Sequence, residues 1–144
     1  MNLREALVTD IPQMNEVRQA VKENALSNPG LASQQDYVDF LSKRGKGWVC
    51  EMDNQVVGFA IGDLVQHNVW ALFVQPEYEG QGVGRELLIT LLDWYYSQTR
   101  ETIWLSTAPD TRAADFYRSF GFAETGKMPN GEIRFELSAD DWGA

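Results

Sequence analysis

The chain has 144 residues, 44% of them hydrophobic, and a formal net charge of −9, which predicts a single domain over residues 1–144 with one sizeable core. The acidic balance and the scattered basic residues exclude a nucleic-acid partner, because phosphate backbones are bound by clustered lysines and arginines. The lack of a membrane-length apolar run and of a signal-peptide pattern at the start predicts a cytoplasmic protein with no membrane partner.

The beginning of the chain predicts a strand followed by a helix. Residues 3–7 favour a short strand, and Asp10 is the expected N-cap of a helix whose apolar residues recur at helical spacing through Val21. We expect this helix to reach about Ala25, because the Asn-Pro-Gly sequence of residues 28–30 breaks it.

A second, short helix is predicted by the residues that follow. Ser33 and Asp36 have the spacing of a capping box, in which each side chain accepts the backbone amide of the other residue. We expect this helix to bury Val38 and Leu41 and to end near Arg44.

Three strands are predicted in the middle of the chain. Residues 48–52 and 56–61 are rich in strand formers and flank a short polar turn, which favours an antiparallel hairpin. Residues 69–74 are apolar on both faces, as is typical of a central strand. Strict alternation places Val69, Ala71 and Phe73 on one face of this strand and Trp70, Leu72 and Val74 on the other.

The remainder of the chain predicts two helices and three strands. Leucines recur at helical spacing between Gly84 and Tyr95, and residues 103–107 favour the next strand. Asp110 is the expected cap of a further helix, which Gly121 ends. A closing hairpin is predicted for residues 122–125 and 132–137.

The segment between the central strand and the long helix indicates a ligand site. In residues 79–85, Glu-Gly-Gln-Gly-Val-Gly-Arg, the glycines let the backbone turn tightly and present N–H groups to an anion such as a pyrophosphate. The spacing is neither that of a P-loop nor that of the G-x-G-x-x-G dinucleotide fingerprint. A tight strand-to-helix turn without a ligand is the alternative.

Two motifs together resemble one known family. Residues 73–77 with 80–85, and then residues 115–122, occur in the order and spacing of the GNAT superfamily of N-acetyltransferases. The resemblance implies an α/β (α+β) fold, a mixed, mostly antiparallel twisted sheet flanked by helices in a single domain. It also implies an N-acyltransferase that uses acetyl-CoA as co-substrate.

The resemblance gives roles to the residues of the first motif. In the family the loop amides hold the CoA pyrophosphate at a helix start, and the strand before the loop splays from its neighbour and binds the pantetheine arm. Cofactor binding is thereby implied for Phe73, Val74, Gly80, Gln81, Gly82, Val83, Gly84, Arg85, Asp110 and Ala113.

Tyr117, in the second motif, is the candidate catalytic residue. The resemblance implies that its phenol protonates the departing CoA thiolate, which is general acid catalysis. From the helical pattern alone, core packing with the hydroxyl at the edge is the alternative.

The chain departs from the family pattern at two positions. Glu79 stands where the family usually has Gln or Arg, so we expect its carboxylate to point away from the phosphates or to be neutralised. Trp70 stands where the family often has a glutamate base. The missing base keeps a second hypothesis open, a noncatalytic acyl-CoA-binding sensor or regulatory domain.

The expected acceptor is a primary amine of an unidentified small molecule or protein, attacking bound acetyl-CoA directly in a ternary complex. Asn24, a polar residue on an apolar helix face, and Arg18 are the candidates for binding it. For Asn24, a hydrogen bond to loop backbone at the helix end is the alternative. A homodimer is left open, because no pattern predicts the oligomeric state.

Two further residues have reactive side chains. His67 precedes the central strand and is a candidate base or water relay, because histidines titrate near neutral pH. Cys50 alternates with Trp48 and Met52 on one strand face, which favours a small core residue over a nucleophile. One cysteine and one histidine give no zinc-ligand spacing, and we expect no metal.

Overall fold

A computed structural model describes residues 1–21 and 32–144, and a mixed β-sheet lies at the centre of this part of the chain. In sheet order its strands are β1 (Asn2–Glu5), β2 (Gly45–Met52), β3 (Gln55–Asp63), β4 (Asn68–Val74), β5 (Ile103–Thr107), β7 (Ile133–Leu137) and β6 (Ala123–Lys127). Neighbouring strands are antiparallel except β4 and β5, which are parallel. The predicted mixed, mostly antiparallel fold class is confirmed.

Helices cover both faces of the sheet. They are α1 (Ile11–Ala20), α2 (Gln34–Asp39, continued by a π-helical turn over Phe40–Arg44), α3 (Val83–Gln98), α4 (Arg112–Phe120) and α5 (Ala139–Trp142). The first two helices pack on one face, and α3 and α4 pack on the other. Within the described ranges, no helix has the length and apolar character needed to cross a bilayer.

The core consists of two apolar layers, one on each face of the sheet. The α3 layer contains the fully buried leucines of α3, Tyr95, and Phe135 of β7. The α1 layer contains Met14, Val17 and Tyr37, packed on the opposite face. The predicted long helix, central strand and two hairpins are confirmed, and β2 and β3 are longer than predicted.

The predicted faces of β4 are wrong, and a β-bulge is the reason. In the ladder with β3, Val69 and Ala71 face consecutive residues of β3, so Trp70 is an extra residue between them. An inserted residue reverses the alternation of faces beyond it. The α3 layer therefore contains Val69, Leu72 and Val74, and the α1 layer contains Trp70, Ala71 and Phe73.

Asp10 is the N-cap residue of α1, as predicted, but its side chain makes no capping hydrogen bond to the helix. The residue has helical backbone angles, and its carboxylate accepts the backbone amide of Leu7 at 2.7 Å. The same carboxylate accepts two hydrogen bonds of 2.8 Å from the guanidinium of Arg4. Asp10 therefore ties the start of α1 to the edge strand β1.

The Arg4–Asp10 ion pair makes the free energy of unfolding depend on pH. Hydrogen bonds from Arg4 hold the pKa of Asp10 below its usual value, so the pair stabilises the fold above about pH 4 and loses its effect as the pH falls further. Asp10→Asn should therefore lower the free energy of unfolding by about 1–3 kcal/mol at neutral pH, because Arg4 is only partly screened by solvent. Urea unfolding at neutral pH and at about pH 3 measures this difference.

The control for that experiment is an exposed carboxylate. Asp140 pairs with Arg100 at 2.9 Å on the surface, so Asp140→Asn should change the free energy of unfolding by less than about 1 kcal/mol. The deficit of the Asp10 variant should shrink in acid, because wild type then loses the same contribution. An equal deficit at both pH values would contradict the assignment.

Helix α1 is shorter than predicted. It ends at Ala20, and Val21 has an extended conformation. Asn24 and Ala25 lie outside the described residues.

The capping box of α2 is confirmed, but its most buried residue differs from the prediction. The Asp36 amide donates to Ser33 Oγ at 3.1 Å, and the Ser33 amide donates to the Asp36 carboxylate at 3.0 Å. Tyr37 is fully buried, whereas Val38 and Leu41 are half-buried.

Helix α4 begins with a different cap from the one predicted. Thr111 is the N-cap, since its hydroxyl accepts the amide of Ala114 at 3.2 Å, while Asp110 has a left-handed φ of 56°. Gly121 ends the helix in the left-handed conformation, as predicted. The sequence patterns do not predict α5.

Candidate functional site

Strands β4 and β5 separate after their first residues, and a cavity opens between them. Asn68 and Trp104 form the register pair of this parallel ladder, and the Trp104 amide donates to the His67 carbonyl at 3.0 Å. Beyond this pair, the described residues of the two strands make no further ladder contacts with each other. The gap leaves one edge of β4 facing a cavity of about 460 Å³.

The cavity runs along the end of β4, the loop that follows it and the starts of α3 and α4. Its wall is mostly apolar, and charged side chains stand at the loop and the two helix starts. The lining residues are Val21, Leu72, Phe73, Val74, Tyr78, Glu79, Gly80, Gly82, Val83, Gly84, Arg85, Arg112, Ala113, Phe116 and Tyr117.

The loop after β4 leads into a helix start with free amides. Gly80 and Gly82 have φ of 78° and 87°, in the left-handed region that other residues disfavour. Gly82 is the N-cap of α3, and no side chain caps this end of the helix. The first N–H groups of α3 lack intrahelical partners, and residues 83–85, which carry three of them, line the cavity. This arrangement suits an anion such as a phosphate.

The carboxylate of Glu79 is neutralised, which is one of the two outcomes predicted for it. Arg112, at the start of α4, forms an ion pair and hydrogen bond with Glu79, and both residues line the cavity. The Arg112 side chain is 73% exposed, so solvent screens this pair. Arg85 adds a further positive charge beside the loop.

Tyr117 reaches the cavity from α4. Its ring packs edge-on against Phe116 and Phe122, with ring centres 5.3 Å and 5.5 Å away, and the residue is 6% exposed. Burial raises the pKa of its phenol above the usual value for tyrosine. The hydroxyl therefore stays protonated at neutral and moderately alkaline pH.

The cavity brings together most of the residues that the sequence singles out. Gln81 and Asp110 do not line it, so cofactor contacts by these two residues stay predictions. Asn24 lies outside the described residues, and its role also stays a prediction. The predicted residues that do line the cavity are Phe73, Val74, Gly80, Gly82, Val83, Gly84, Arg85, Ala113 and Tyr117.

Sequence reasoning misses other residues of the cavity wall. Leu72, Tyr78, Arg112 and Phe116 lie within or beside the two motifs, and widening each motif by a few residues would find them. Val21 has no such signal, because only the tertiary fold brings the end of α1 beside β4.

Arg18 lies beside the cavity without lining it. Its guanidinium carbon is 4.9 Å from the ring centres of both Trp70 and Phe73 and 5.9 Å from that of Tyr37. Phe73 lines the cavity, so a single aromatic ring separates Arg18 from it. The bulge at Trp70 creates this arrangement, because it turns the Trp70 side chain to the α1 face.

The two remaining reactive residues do not line the cavity. His67 Nδ1 is 2.9 Å from the Tyr95 hydroxyl, at the end of β4 opposite Phe73. Cys50 is fully buried in the α3 layer, where burial raises the pKa of its thiol, and its predicted core position is confirmed. Within residues 1–21 and 32–144, no group of three His, Cys, Asp or Glu side chains is placed to hold a metal ion.

Sequence comparisons identify the family to which this chain is similar. Residues 11–122 match the model of the acetyltransferase (GNAT) family. The chain is similar to the ribosomal protein bS18-alanine N-acetyltransferase of Escherichia coli K12, with 31% identity over 81% of this chain and 76% of the relative. It is also similar to the peptidyl-lysine N-acetyltransferase YjaB of Salmonella typhimurium LT2, with 30% identity over 71% of this chain and 67% of the relative.

Solved structures share the fold. The ribosomal-protein-S18-alanine N-acetyltransferase of Escherichia coli matches with a TM-score of 0.75 at 23% identity, over 95% of this chain and 92% of that one. The PaiA N-acetyltransferase of Thermoplasma acidophilum, in complex with coenzyme A, matches with a TM-score of 0.78 at 15% identity, over 95% and 98% of the two chains.

Proposed function

The chain belongs to the GNAT acetyltransferase family, and on that premise we propose that it transfers the acetyl group of acetyl-CoA to an amine by direct attack in a ternary complex. The observation that carries the proposal is the cavity between β4 and β5, which joins the uncapped start of α3 to Tyr117. Acetyl-CoA supplies an activated thioester. The protein binds and orients it and holds the proton that the leaving thiolate takes.

The loop end of the cavity fits the pyrophosphate of acetyl-CoA. A Cβ atom built on Gly80 or Gly82 meets no atom within 4 Å, so the space beside the loop is open to phosphate oxygens. The free amides of residues 83–85 and the guanidinium of Arg85 are donors of the kind that phosphate prefers. Gln81 and Asp110 are proposed to contact the cofactor at the borders of this region.

The splayed part of the sheet fits the pantetheine arm. The unpaired edge of β4 at Phe73 and Val74 offers backbone hydrogen-bonding groups, and Ala113 lines the other side of the gap. These backbone groups are proposed to orient the thioester and to polarise its carbonyl.

Tyr117 is the proposed general acid. Its phenol would donate its proton to the CoA sulfur as the carbon–sulfur bond breaks, because a thiol is a better leaving group than a free thiolate. Burial raises the pKa of this phenol, which keeps the proton available throughout the neutral range.

The acceptor is proposed to react as the neutral amine formed in solution. Strand β4 carries no carboxylate over Asn68–Val74, Trp70 packs in the α1 layer, and His67 lies at the far end of the strand. Among the described residues, the carboxylate that lines the cavity is that of Glu79, which lies at the loop and is paired with Arg112. We therefore expect kcat/KM to rise with pH until the acceptor itself is deprotonated.

The decisive experiment is release of the CoA thiol during incubation of acetyl-CoA with a panel of amines. Relatives named for acetylating alanine of a ribosomal protein and lysine of peptides make such peptides the first acceptors to test. Amine-dependent thiol release supports transfer. Tight acetyl-CoA binding with no thiol release for any amine would instead favour the acyl-CoA-binding sensor.

A cytoplasmic location is part of this proposal. The proposal does not depend on the oligomeric state, and light scattering distinguishes a monomer from a homodimer.

Glu79→Gln should strengthen acetyl-CoA binding. The change removes a negative charge beside the phosphate-binding loop together with the ion pair that this carboxylate makes with Arg112, so the region around the phosphates becomes more positive. We expect the dissociation constant to fall about 3- to 10-fold in low salt, with a smaller change in high salt because the groups are exposed. Isothermal titration calorimetry at two salt concentrations measures both effects.

The control removes a carboxylate from a different ion pair, whose arginine is exposed to a similar extent as Arg112. Asp140→Asn frees Arg100, and neither residue lines the cavity, so acetyl-CoA affinity should not change. Weaker binding by the Glu79 variant would show that the carboxylate supports the loop rather than opposing the phosphates.

A further inference from the structure

Most arginines of this chain form an ion pair with a carboxylate among the described residues, and Arg18 is one of those that do not. Within residues 1–21 and 32–144, Arg18 and Arg85 make no ion pair with a carboxylate, and Arg85 lines the cofactor cavity. Asp36 interacts with Arg18 only at longer range than an ion pair, so the guanidinium can still bind an anionic group of a ligand. The arginines that do pair are Arg4, Arg44, Arg100, Arg112, Arg118 and Arg134.

The guanidinium of Arg18 is held in place but incompletely hydrogen-bonded. Trp70, Phe73 and Tyr37 surround it at 4.9 to 5.9 Å, and Nη1 donates to the Tyr37 hydroxyl at a long 3.5 Å. Nε is buried and has no hydrogen-bond partner among the residues that the structure describes. A buried N–H group without a partner destabilises the protein, and a carboxylate that meets the Nε and Nη2 edge would remove that penalty.

Arg18 lies on the opposite face of the sheet from Tyr117. Tyr117 belongs to the α3 layer, whereas Phe73 and Arg18 lie on the α1 face, and the cavity passes between the two faces. Val21, one turn after Arg18, and Phe73 both line the cavity on the α1 side. A ligand group bound to Arg18 therefore lies beside the cavity, on the opposite face from the proposed acid.

We propose that the acceptor carries a carboxylate near its amine and that Arg18 binds this carboxylate. The inference rests on the proposed acetyl transfer and narrows its acceptor class. The planar guanidinium matches the two oxygens of a carboxylate, and the aromatic rings fix its orientation. The carboxylate is either the α-carboxylate of a free amino acid or an acidic side chain next to a peptide amino terminus.

The test compares acceptors that differ only in this carboxylate. Acetyl transfer is measured for free methionine and lysine against their primary amides, and for a peptide beginning Ala-Glu against one beginning Ala-Gln. We expect the carboxylate member of one pair to be preferred at least about tenfold in kcat/KM. Preference in the amino-acid pairs identifies the α-carboxylate, and preference in the peptide pair identifies the acidic side chain. Equal kcat/KM within every pair overturns the proposal.

Substitutions of Arg18 separate binding from structural support. Arg18→Met should lower kcat/KM about 10- to 100-fold for the carboxylate acceptor, mainly through KM, and leave the amide acceptor and acetyl-CoA affinity unchanged. Arg18→Lys should restore part of the preference. An equal loss for both acceptors would make the residue structural and the proposal wrong, and thermal unfolding of each variant checks the fold.

The matched control is another arginine stacked on tryptophan. Arg134 lies 4.3 Å from the ring centre of Trp104 and does not line the cavity, so Arg134→Met should leave the acceptor preference intact.

If no amine in the panel is acetylated, the proposed function fails, and Arg18 is tested by binding alone. N-acetylmethionine and its amide are titrated into the protein saturated with CoA. Tighter binding of the acid by wild type than by Arg18→Met supports a carboxylate site. Equal binding of acid and amide by wild type overturns it.

Discussion

Gly82→Asp should abolish measurable acetyl-CoA binding while the protein stays folded. An aspartate at this N-cap position would accept hydrogen bonds from the first amides of α3, which are the proposed phosphate donors. Its charge would also repel the phosphates. We expect the dissociation constant to rise at least about 100-fold, measured by calorimetry. No atom lies within 4 Å of a Cβ at this position, so the new side chain meets no steric clash.

Two controls separate charge from backbone strain. Gly82→Asn has the same size without the charge, and we expect it to weaken binding less than the aspartate. Gly143→Asp introduces the same residue at a φ of 88° in open space outside the cavity, and we expect unchanged affinity with a similar small loss of stability. Unchanged CoA affinity in a folded Gly82→Asp protein would refute the phosphate assignment.

Tyr117→Phe should lower kcat about 10² to 10⁴-fold and leave acetyl-CoA affinity nearly unchanged, because general acid catalysis has this magnitude. The substitution removes only the hydroxyl. The ring contacts with Phe116 and Phe122 remain, so thermal stability should change little. Steady-state kinetics with the best acceptor, together with calorimetry for acetyl-CoA, measure the two quantities.

The pH profile gives a second readout of the same role. Since burial raises the pKa of Tyr117, the acid keeps its proton above the range in which a free phenol loses it, and wild-type activity should fall only at strongly alkaline pH. The acidic limb should follow deprotonation of the acceptor.

Tyr95→Phe is the matched control for the hydroxyl. Tyr95 is also buried on the α3 face, but its hydroxyl contacts His67 and the residue does not line the cavity. We expect little change in kcat for this variant. A kcat for Tyr117→Phe within about twofold of wild type, where chemistry limits turnover, would leave Tyr117 with packing alone.

The partners of the Glu79 and Asp10 carboxylates are not predicted by the residues next to them in sequence. The sequence predicts that the Glu79 carboxylate needs a counter-charge, but its partner, Arg112, comes from another element. Asp10 has the right type and position for a helix cap, yet Arg4 of the neighbouring strand donates two hydrogen bonds to its carboxylate, and the Leu7 amide donates a third. Side-chain partners from distant elements decide both cases.

The sequence by itself determined the elements and the loop of the site. Apolar periodicity predicts α3 and the central strand, Ser33 and Asp36 predict the cap of α2, and the glycines of residues 79–85 predict the anion-binding turn. All these signals act over a few residues along the chain, within one strand, one helix or one turn. These elements can therefore be predicted from the sequence without knowledge of any tertiary contact.

Only the tertiary structure decided which faces and side chains meet at the cavity. The pairing register of β3 and β4 shifts by one residue at Trp70, which forms the bulge. Register depends on both strands together, so the sequence of one strand does not determine it. That single extra residue turns Trp70 to the α1 face of the sheet, where its ring lies against Arg18. Contacts between residues distant in sequence depend on the whole sheet being assembled, which is why local patterns do not predict them.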